Sequence, residues 1–171
     1  MIKIKELTKE NLGQAIRLVC SQFPPEDELE RADRELPASF YPKKYKKYLE
    51  KTQILGLKYW VAEKAGKVVG VVGLYYYRAD SRDKIWLGWF VVDPTIQNNK
   101  LGTKLLEFVK QQARVMGKKI LMVYTVPEPE RNLDTRGFFE KNGFRLVSYE
   151  PWKGGGDYTS YRYQFNLEDV V

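Results

Sequence analysis

Hydrophobic positions recur along the chain with two different periods, and together they predict a mixture of strands and helices. Ile2 and Ile4 alternate with lysines, which predicts a strand, whereas Leu12, Ala15 and Val19 follow helical spacing. A charged segment, 26–37, predicts a loop or a short surface helix before a second helix that carries its tyrosines at helical spacing around residue 48. The remaining predicted elements are a hairpin over 60–77, strands over 84–92, 119–126, 144–149 and 158–165, and helices over 101–116 and 132–142.

The join between residues 86 and 109 carries the clearest chemical signal. An apolar run ends at Asp93 and Pro94, because proline has no N–H to donate to a strand ladder. A polar turn follows, and then Leu101, Leu105 and Phe108 recur at helical spacing. The first turn of a helix leaves backbone N–H groups unpaired and carries partial positive charge, so the join predicts a binding site for a phosphate or a similar anion.

Length indicates the number of domains, and charge indicates the kind of partner. The 171 residues, of which 43% are hydrophobic, predict one domain over 1–171 that buries its own core. The net charge of +7 favours an anionic partner, and Lys100, Lys104 and Lys141 would suit a nucleotide-bearing cofactor. The lysine-rich run 42–48 also carries aromatic residues, but its helical spacing favours a solvated amphipathic helix, so nucleic acid binding is not expected.

Residue types that are absent exclude several classes of chemistry. The chain has no histidine and one cysteine, Cys20, so we predict no histidine-based triad, no disulfide and no metal site. Cys20 lies on an apolar helical face and is interpreted as a core residue. The sequence offers no apolar run of roughly 20 residues and no secretory signal, so we expect a cytoplasmic protein without a membrane segment.

Two motifs resemble those of the GNAT N-acetyltransferase superfamily. The turn from Gln97 to Gly102 resembles the family's pyrophosphate-binding pattern, Gln/Arg-x-x-Gly-x-Gly/Ala. About thirty residues later, Asn132-x-x-Thr135-x-x-Phe138-Phe139-x-x-x-Gly143-Phe144 is similar to the family's Asn-x-x-Ala-x-x-Phe-Tyr-x-x-x-Gly-Phe. The hairpin over 60–77 resembles the one that opens the family's sheet, so the resemblance covers nearly the whole chain.

The resemblance implies a fold and a cofactor. The implied fold is an α/β GNAT acyl-CoA N-acyltransferase fold, with a mixed and mostly antiparallel sheet of about seven strands flanked by about four helices. This sheet splays between its fourth and fifth strands, 84–92 and 119–126 here, and the pantetheine arm of acetyl-CoA lies in the gap. The residues implied to bind acetyl-CoA are Phe90, Val91, Val92, Gln97, Asn98, Asn99, Lys100, Leu101, Gly102, Thr103, Asn132, Phe138 and Phe139.

Three positions depart from the family pattern. Lys100 replaces the preferred first glycine, which predicts ordinary helical backbone there and adds an ammonium group near the phosphates. Trp86 stands where many members carry a glutamate base, and Phe139 stands where they carry the tyrosine that protonates the thiolate. Tyr124 is our first choice for the catalytic proton donor, and Tyr75 to Tyr77, Asp83 and Glu63 are alternatives.

We therefore predict an enzyme that transfers an acetyl group from acetyl-CoA to a primary amine by direct attack. A non-catalytic acyl-CoA sensor and an RNA-associated protein are the alternative interpretations. The amine is expected to enter between segments 24–42 and 151–157, where Phe40, Tyr41 and Trp152 are candidates to line the mouth. The acceptor's identity and the formation of a homodimer are left open.

Overall fold

The computed structural model describes residues 1–25, 29–96, 100–154 and 156–169. Within these ranges the chain forms eight strands and five α-helices. The strands are β1 (Ile2–Glu6), β2 (Ile54–Lys64), β3 (Lys67–Tyr77), β4 (Lys84–Leu87), β5 (Val91–Val92), β6 (Ile120–Thr125), β7 (Arg145–Pro151) and β8 (Thr159–Asn166). The helices are α1 (Lys9–Gln22), α2 (Ala32–Ala38), α3 (Lys46–Thr52), α4 (Leu101–Val115) and α5 (Arg136–Lys141).

The strands form one mixed sheet in the order β1-β2-β3-β4-β6-β8-β7, with β5 paired to β3 beside this path. Its pairs are antiparallel except for β4 and β6, which run parallel. Helix α4 packs on one face, where Leu105 and Val109 join a core cluster with Val72 of β3. Helices α1 and α2 pack on the other face, where Val19 and Leu36 join Val71. Neighbouring residues of β3 thus serve opposite faces, as the alternation of a strand requires.

The predicted strand over 84–92 is wrong as one continuous element. Strand β4 ends at Leu87, β5 begins at Val91, and the intervening Gly88, Trp89 and Phe90 lie outside the ladder. The side chain of Tyr59 occupies the space beside this break. A Cβ added at Gly88 would lie 2.7 Å from the Tyr59 hydroxyl, and one added at Gly73 would lie 2.2 Å from its ring.

The predicted helix over 132–142 is too long at its start. A short 3₁₀ helix, Pro129–Arg131, ends at Asn132 in left-handed backbone with φ of 51°, and α5 begins four residues later at Arg136. The cause is a local bridge, since the backbones of Glu128 and Leu133 exchange hydrogen bonds of 2.8 and 3.1 Å. In the charged segment 26–37 the structure has a helix, α2, but this helix is not on the surface as predicted, because Ala32, Leu36 and Ala38 are buried; residues 26–28 lie outside the described ranges.

Candidate active site

The sheet opens between β4 and β6, as the resemblance predicted. The two strands pair only from Lys84 with Ile120 to Trp86 with Met122. Beyond that point β5 turns onto β3, while β6 continues along β8 as far as Thr125. The opening holds a cavity of about 190 Å³, and its walls include residues 88–90 on one side and 123–126 on the other. The chain therefore has a slot between two strands, at the place where a linear group with amides would be received as an added strand.

Four predicted cofactor-binding residues from three separate segments meet beside this slot. The rings of Phe90 and Phe138 stack with centroids 5.7 Å apart, and Phe139 lies 6.3 Å from Phe90. A Cβ placed on Gly102 would lie 3.6 Å from Phe138 and 3.7 Å from Phe90. The start of α4 is thus brought directly against the aromatic residues that flank the slot. In β5, the carbonyl oxygen of Val92 accepts a hydrogen bond of 2.9 Å from the side-chain amide of Gln22.

Gly102 itself is not required by the folded backbone. Its φ is not in the left-handed region, and a Cβ added to it would make ordinary van der Waals contacts. An alanine would fit without displacing a neighbour, with its Cβ packed against the rings of Phe138 and Phe90. Glycine leaves this position in the first turn of α4 without a side chain, which suits the close approach of a phosphate to a helix N-terminus.

The backbone at Lys100 contradicts the sequence prediction. Lys100 has φ of 50° and ψ of 25°, which is left-handed rather than helical, and it is the residue that precedes the first turn of α4. Glycine adopts this conformation without steric cost, which gives a physical reason for the family's preference at the position. Leu101 and Thr103 lie in the first turn of the helix. Gln97, Asn98 and Asn99, the other predicted members of the turn, lie outside the described residues.

The segment before that turn is fixed by Asp93. Its Oδ1 accepts hydrogen bonds from the N–H and hydroxyl of Thr95 at 2.9 and 2.7 Å, and its Oδ2 lies 2.9 Å from the ammonium of Lys67. The Thr95 hydroxyl and the Lys67 ammonium lower the pKa of Asp93 to about 2. The carboxylate is therefore charged at neutral pH and ties the end of β5 to the start of β3.

Asn132, predicted to contact the pantetheine, is exposed. Its left-handed backbone ends the 3₁₀ helix that precedes α5. Three residues later the Thr135 hydroxyl lies 2.7 Å from that of Thr125, which fastens this segment to the end of β6. Asn132 therefore sits near the slot, and its contact with a cofactor stays a prediction.

The two positions that depart from the family pattern are occupied by packed aromatic rings. Trp86 is 8% exposed, and its indole N–H donates a hydrogen bond of 3.0 Å to Asp80. Phe139 is 3% exposed and lies edge-on to Phe144 at 5.4 Å. Neither side chain carries a group that titrates, so proton transfer must depend on other residues.

Tyr124 lines the slot and is held by two contacts. Its hydroxyl donates a hydrogen bond to Glu30, and its ring stacks on Trp152 with centroids 5.8 Å apart. Burial raises the pKa of Tyr124 well above its ordinary value, and the nearby Glu30 carboxylate adds to this. The phenol is consequently protonated across the physiological range. The other candidate proton donors lie in different parts of the molecule. Tyr75 and Tyr77 also line the cavity, whereas Glu63 of β2 forms an ion pair of 2.6 Å with Lys5 of β1.

A second, wider cavity of about 510 Å³ adjoins the first and shares five lining residues with it, Phe23, Glu30, Trp89, Val126 and Glu128. Trp152, a candidate to line the acceptor mouth, lines this cavity. Phe40 and Tyr41 are not among the described residues that line either cavity, and Tyr41 instead lies 5.0 Å beneath the ammonium of Lys9. The other lining residues are Pro24, Glu130, Arg131, Gly154 and Tyr158.

Sequence reasoning missed two carboxylates in the site, Glu30 and Glu35. Both lie in the charged segment that was interpreted as surface, and both line the inner cavity. The sequence held one weak signal, which is that Glu35 directly precedes the apolar Leu36 and lies three residues after Ala32 in a short helix. Nothing local in that segment indicates that a carboxylate should face the slot.

Two further findings concern the described residues as a whole. Among them, no group of three or more histidine, cysteine, aspartate or glutamate side chains is arranged to hold a metal ion. No helix in the described ranges has both the length and the apolar character needed to cross a membrane.

Comparisons with known structures agree with the fold. Over 98% of this chain and 99% of its own length, a GNAT-family protein from Desulfovibrio desulfuricans superposes with a TM-score of 0.74 at 20% identity. The aminoglycoside 6'-N-acetyltransferase of Enterococcus faecium gives 0.74 at 16% identity, covering 99% of each chain. The yncA protein of Salmonella typhimurium, solved with its cofactor acetyl-CoA, gives 0.71 at 19% identity, covering 100% of this chain and 96% of its own.

At these identities the superpositions establish the fold alone, and a comparison with curated protein sequences finds no match. The family follows from the sequence itself. The acetyltransferase (GNAT) family profile matches residues 23–144, a range that contains the slot, the start of α4 and the Asn132 segment. The chain belongs to the GNAT acetyltransferase family.

Proposed function

We propose that the protein transfers an acetyl group from acetyl-CoA to a primary amine, without a covalent enzyme intermediate. The observation that carries the proposal is the slot between β4 and β6 together with the cluster of Gly102, Phe90 and Phe138 at its end. Such a slot receives an extended amide-bearing arm, and the N-terminus of α4 next to it receives phosphates. Acetyl-CoA combines these two parts in one molecule.

The proposed placement of acetyl-CoA uses backbone on one side and side chains on the other. Backbone groups of Phe90, Val91 and Val92 would take up the amides of the pantetheine arm. The pyrophosphate would meet the N–H groups of the turn at the start of α4. The remaining proposed contacts are Asn132, Phe138 and Phe139 near the arm, and Gln97, Asn98, Asn99, Lys100, Leu101, Gly102 and Thr103 at the pyrophosphate.

The reaction needs a neutral amine, a donor for the carbonyl oxygen as it gains negative charge, and a proton for the departing sulfur. A backbone N–H near Val92 would donate to the carbonyl oxygen. Tyr124 would give the proton to the departing sulfur, since its phenol lines the cavity and stays protonated at neutral pH. The amine nitrogen forms a bond to the acetyl carbon, the carbon–sulfur bond breaks, and the sulfur leaves with its electron pair and takes the proton.

Direct attack is favoured over a cysteine-bound intermediate. Cys20 packs beside the core cluster under α1 and is not among the described residues that line either cavity. Burial raises the pKa of the Cys20 thiol, so the reactive thiolate is disfavoured at neutral pH.

One observation supports a second candidate function, a non-catalytic acyl-CoA sensor. Trp86 and Phe139 leave the family's two titrating positions without a titratable group. Such a protein would bind acetyl-CoA in the same slot and transfer nothing.

A thiol-release assay across a panel of amines separates the two functions. The protein is incubated with acetyl-CoA and each amine, and free coenzyme A and acetylated product are both measured. Release that depends on an added amine, with matching product, supports the acetyltransferase. Saturable acetyl-CoA binding by calorimetry without release on any amine would favour the sensor.

A further inference from the structure

We propose that Glu35 is the catalytic base that takes a proton from the acceptor ammonium group. This inference rests on the proposed acetyl transfer and adds a residue to it. Glu35 lies on α2, far in sequence from the motifs of the cofactor site, yet its side chain reaches the inner cavity that contains Gly88, Trp89 and Tyr124.

Glu35 combines burial with access to that cavity. The residue is 7% exposed, and a carboxylate this buried is found in proteins only when it is hydrogen-bonded. Two tyrosine hydroxyls supply those bonds, with Tyr59 donating to Oε1 and Tyr48 lying 3.2 Å from Oε2. The carboxylate is therefore held in one orientation on the cavity wall, in the same chamber as the proposed proton donor, Tyr124.

The hydrogen-bond network suits both protonation states of Glu35. The Tyr48 hydroxyl lies 3.1 Å from the carbonyl oxygen of Leu29 as well as 3.2 Å from Glu35. When Glu35 is ionised, Tyr48 donates its proton to the carboxylate. When Glu35 is protonated, the carboxyl can donate to Tyr48 while Tyr48 donates to Leu29. A group that must accept and then release a proton needs partners of this kind, whereas a purely structural carboxylate does not.

The position of Tyr59 shows that the fold makes room for this contact. Its ring lies across Gly73 and Gly88, where any added Cβ would come within 2.2 and 2.7 Å of the phenol. The Tyr59 hydroxyl also lies 3.4 Å from the backbone nitrogen of Trp89. It can accept a hydrogen bond from this N–H while it donates one to Glu35. A chain of contacts thus joins Glu35 to the strand break that forms one wall of the slot.

The described groups that face Glu35 are phenols and carboxylates rather than cations. They are Tyr48 of α3, Tyr59 of β2, Tyr75 and Tyr77 of β3, Tyr124 of β6, and Glu30. Burial is the main cause that raises the pKa of Glu35 above its ordinary value, and hydrogen bonding from Tyr59, Tyr48 and Trp89 opposes it. A raised carboxyl pKa moves the group towards the range in which a base can take a proton from an ammonium ion.

The proton balance of the step is simple. The ammonium nitrogen transfers one proton to the Glu35 carboxylate, and the resulting neutral amine attacks the acetyl carbon as described above. The second proton lost by the nitrogen replaces the one that Tyr124 gives to the sulfur. Glu35 then releases its proton to solvent through the outer cavity, which restores the carboxylate.

The central test is the pH profile of Glu35→Gln on an amine that the wild type acetylates. We expect kcat/KM to fall roughly 100-fold at neutral pH, with the deficit shrinking at high pH as free amine replaces the ammonium ion. Acetyl-CoA affinity should be unchanged, and Glu35→Asp should recover part of the rate. The matched control is Glu140→Gln, since Glu140 also accepts a hydrogen bond from a buried tyrosine, Tyr163, but is not among the described residues that line the cavities.

Tyr59→Phe gives a second readout that a structural role would not move. Removing the hydrogen bond that stabilises the carboxylate raises the pKa of Glu35, so the acid limb of the kcat/KM profile should shift to higher pH. Tyr163→Phe, which removes a hydroxyl away from the cavities, should leave that limb in place. An acid limb that stays fixed in Tyr59→Phe would overturn the proposal.

The failure of this inference is distinguishable from the failure of the proposed function. If the wild type acetylates an amine and Glu35→Gln keeps its rate and pH profile, Glu35 is not the base and the acetyltransferase stands. If the wild type releases no coenzyme A with any amine, both proposals are overturned.

Discussion

The two ends of the slot are formed by different kinds of chemical group. At the end near α4, the candidate site consists of backbone, a glycine and apolar rings: Gly102 beside Phe90 and Phe138, after a turn at Lys100. At the other end, side chains from distant elements meet, with Glu35 from α2 and Tyr124 from β6 in one cavity. A site made of backbone groups depends little on the identity of the local side chains, whereas the chemistry of a side-chain site changes when single residues are exchanged. The first end would fix the cofactor, and the second would be free to choose the acceptor and its chemistry.

Tyr124→Phe should produce the largest effect of the remaining variants, and only on turnover. Loss of the proposed proton donor should slow kcat roughly 100-fold while leaving acetyl-CoA affinity unchanged. Steady-state kinetics and calorimetry on the same preparation measure the two quantities. Full activity in this variant would remove Tyr124 from the mechanism and weaken the contrast between the two ends.

Gly102→Asp tests the cofactor end directly. The substitution places a side chain and a negative charge in the first turn of α4, next to the proposed phosphates. We expect coenzyme A affinity to fall at least tenfold, about 1.4 kcal/mol. Circular dichroism should show an intact fold, because a Cβ here makes only ordinary contacts. Gly102→Ala is the matched control for bulk without charge, and unchanged binding in the aspartate variant would contradict the pyrophosphate site.

Asp93→Asn probes how the cofactor end is held in place. The variant keeps an acceptor for Thr95 but loses the ion pair with Lys67, so the free energy of unfolding should fall by about 1 kcal/mol at neutral pH. The folded-state pKa of Asp93 is lowered from 3.8 to about 2, so its charge stabilises the fold above pH 3.8. That stability is lost as pH falls towards 2. Denaturant titrations should therefore show the free energies of unfolding of the wild type and Asp93→Asn converging over this interval. A difference that is constant with pH would show that the ion pair contributes nothing.

Lys100→Gly should have the smallest effect, and it separates two roles of one residue. Glycine relieves the left-handed backbone, so the melting temperature should rise, by the equivalent of about 0.5 kcal/mol. If the ammonium group contacts a phosphate, the variant should bind coenzyme A more weakly than the wild type at low salt, and the difference should shrink at high salt. Tighter binding by the variant at low salt would show that the charge contact is wrong.

The same contrast explains what the sequence could predict. The start of α4 and most of the strands depend on local periodicity and on Pro94, so they were predicted at or close to the observed positions. The strand break at Gly88 was missed because its cause is the side chain of Tyr59, which comes from another strand. Glu35 was missed for a similar reason, since only the folded α2 directs it into the cavity. The left-handed backbone of Lys100 was mispredicted, because this conformation is sterically unfavourable for a residue with a side chain and only the surrounding fold imposes it.

The ring of Tyr59 across Gly73 and Gly88 also constrains how this protein can change over generations. A side chain at Gly73 or Gly88 would force the phenol out of its place, so neither glycine can be replaced unless residue 59 becomes smaller in the same lineage. Such a lineage would lose the Tyr59 hydroxyl that holds Glu35, and another group would have to set the pKa of Glu35. The three positions should consequently vary together among close homologues, and a subgroup in which they differ should be one that works on amines of different basicity.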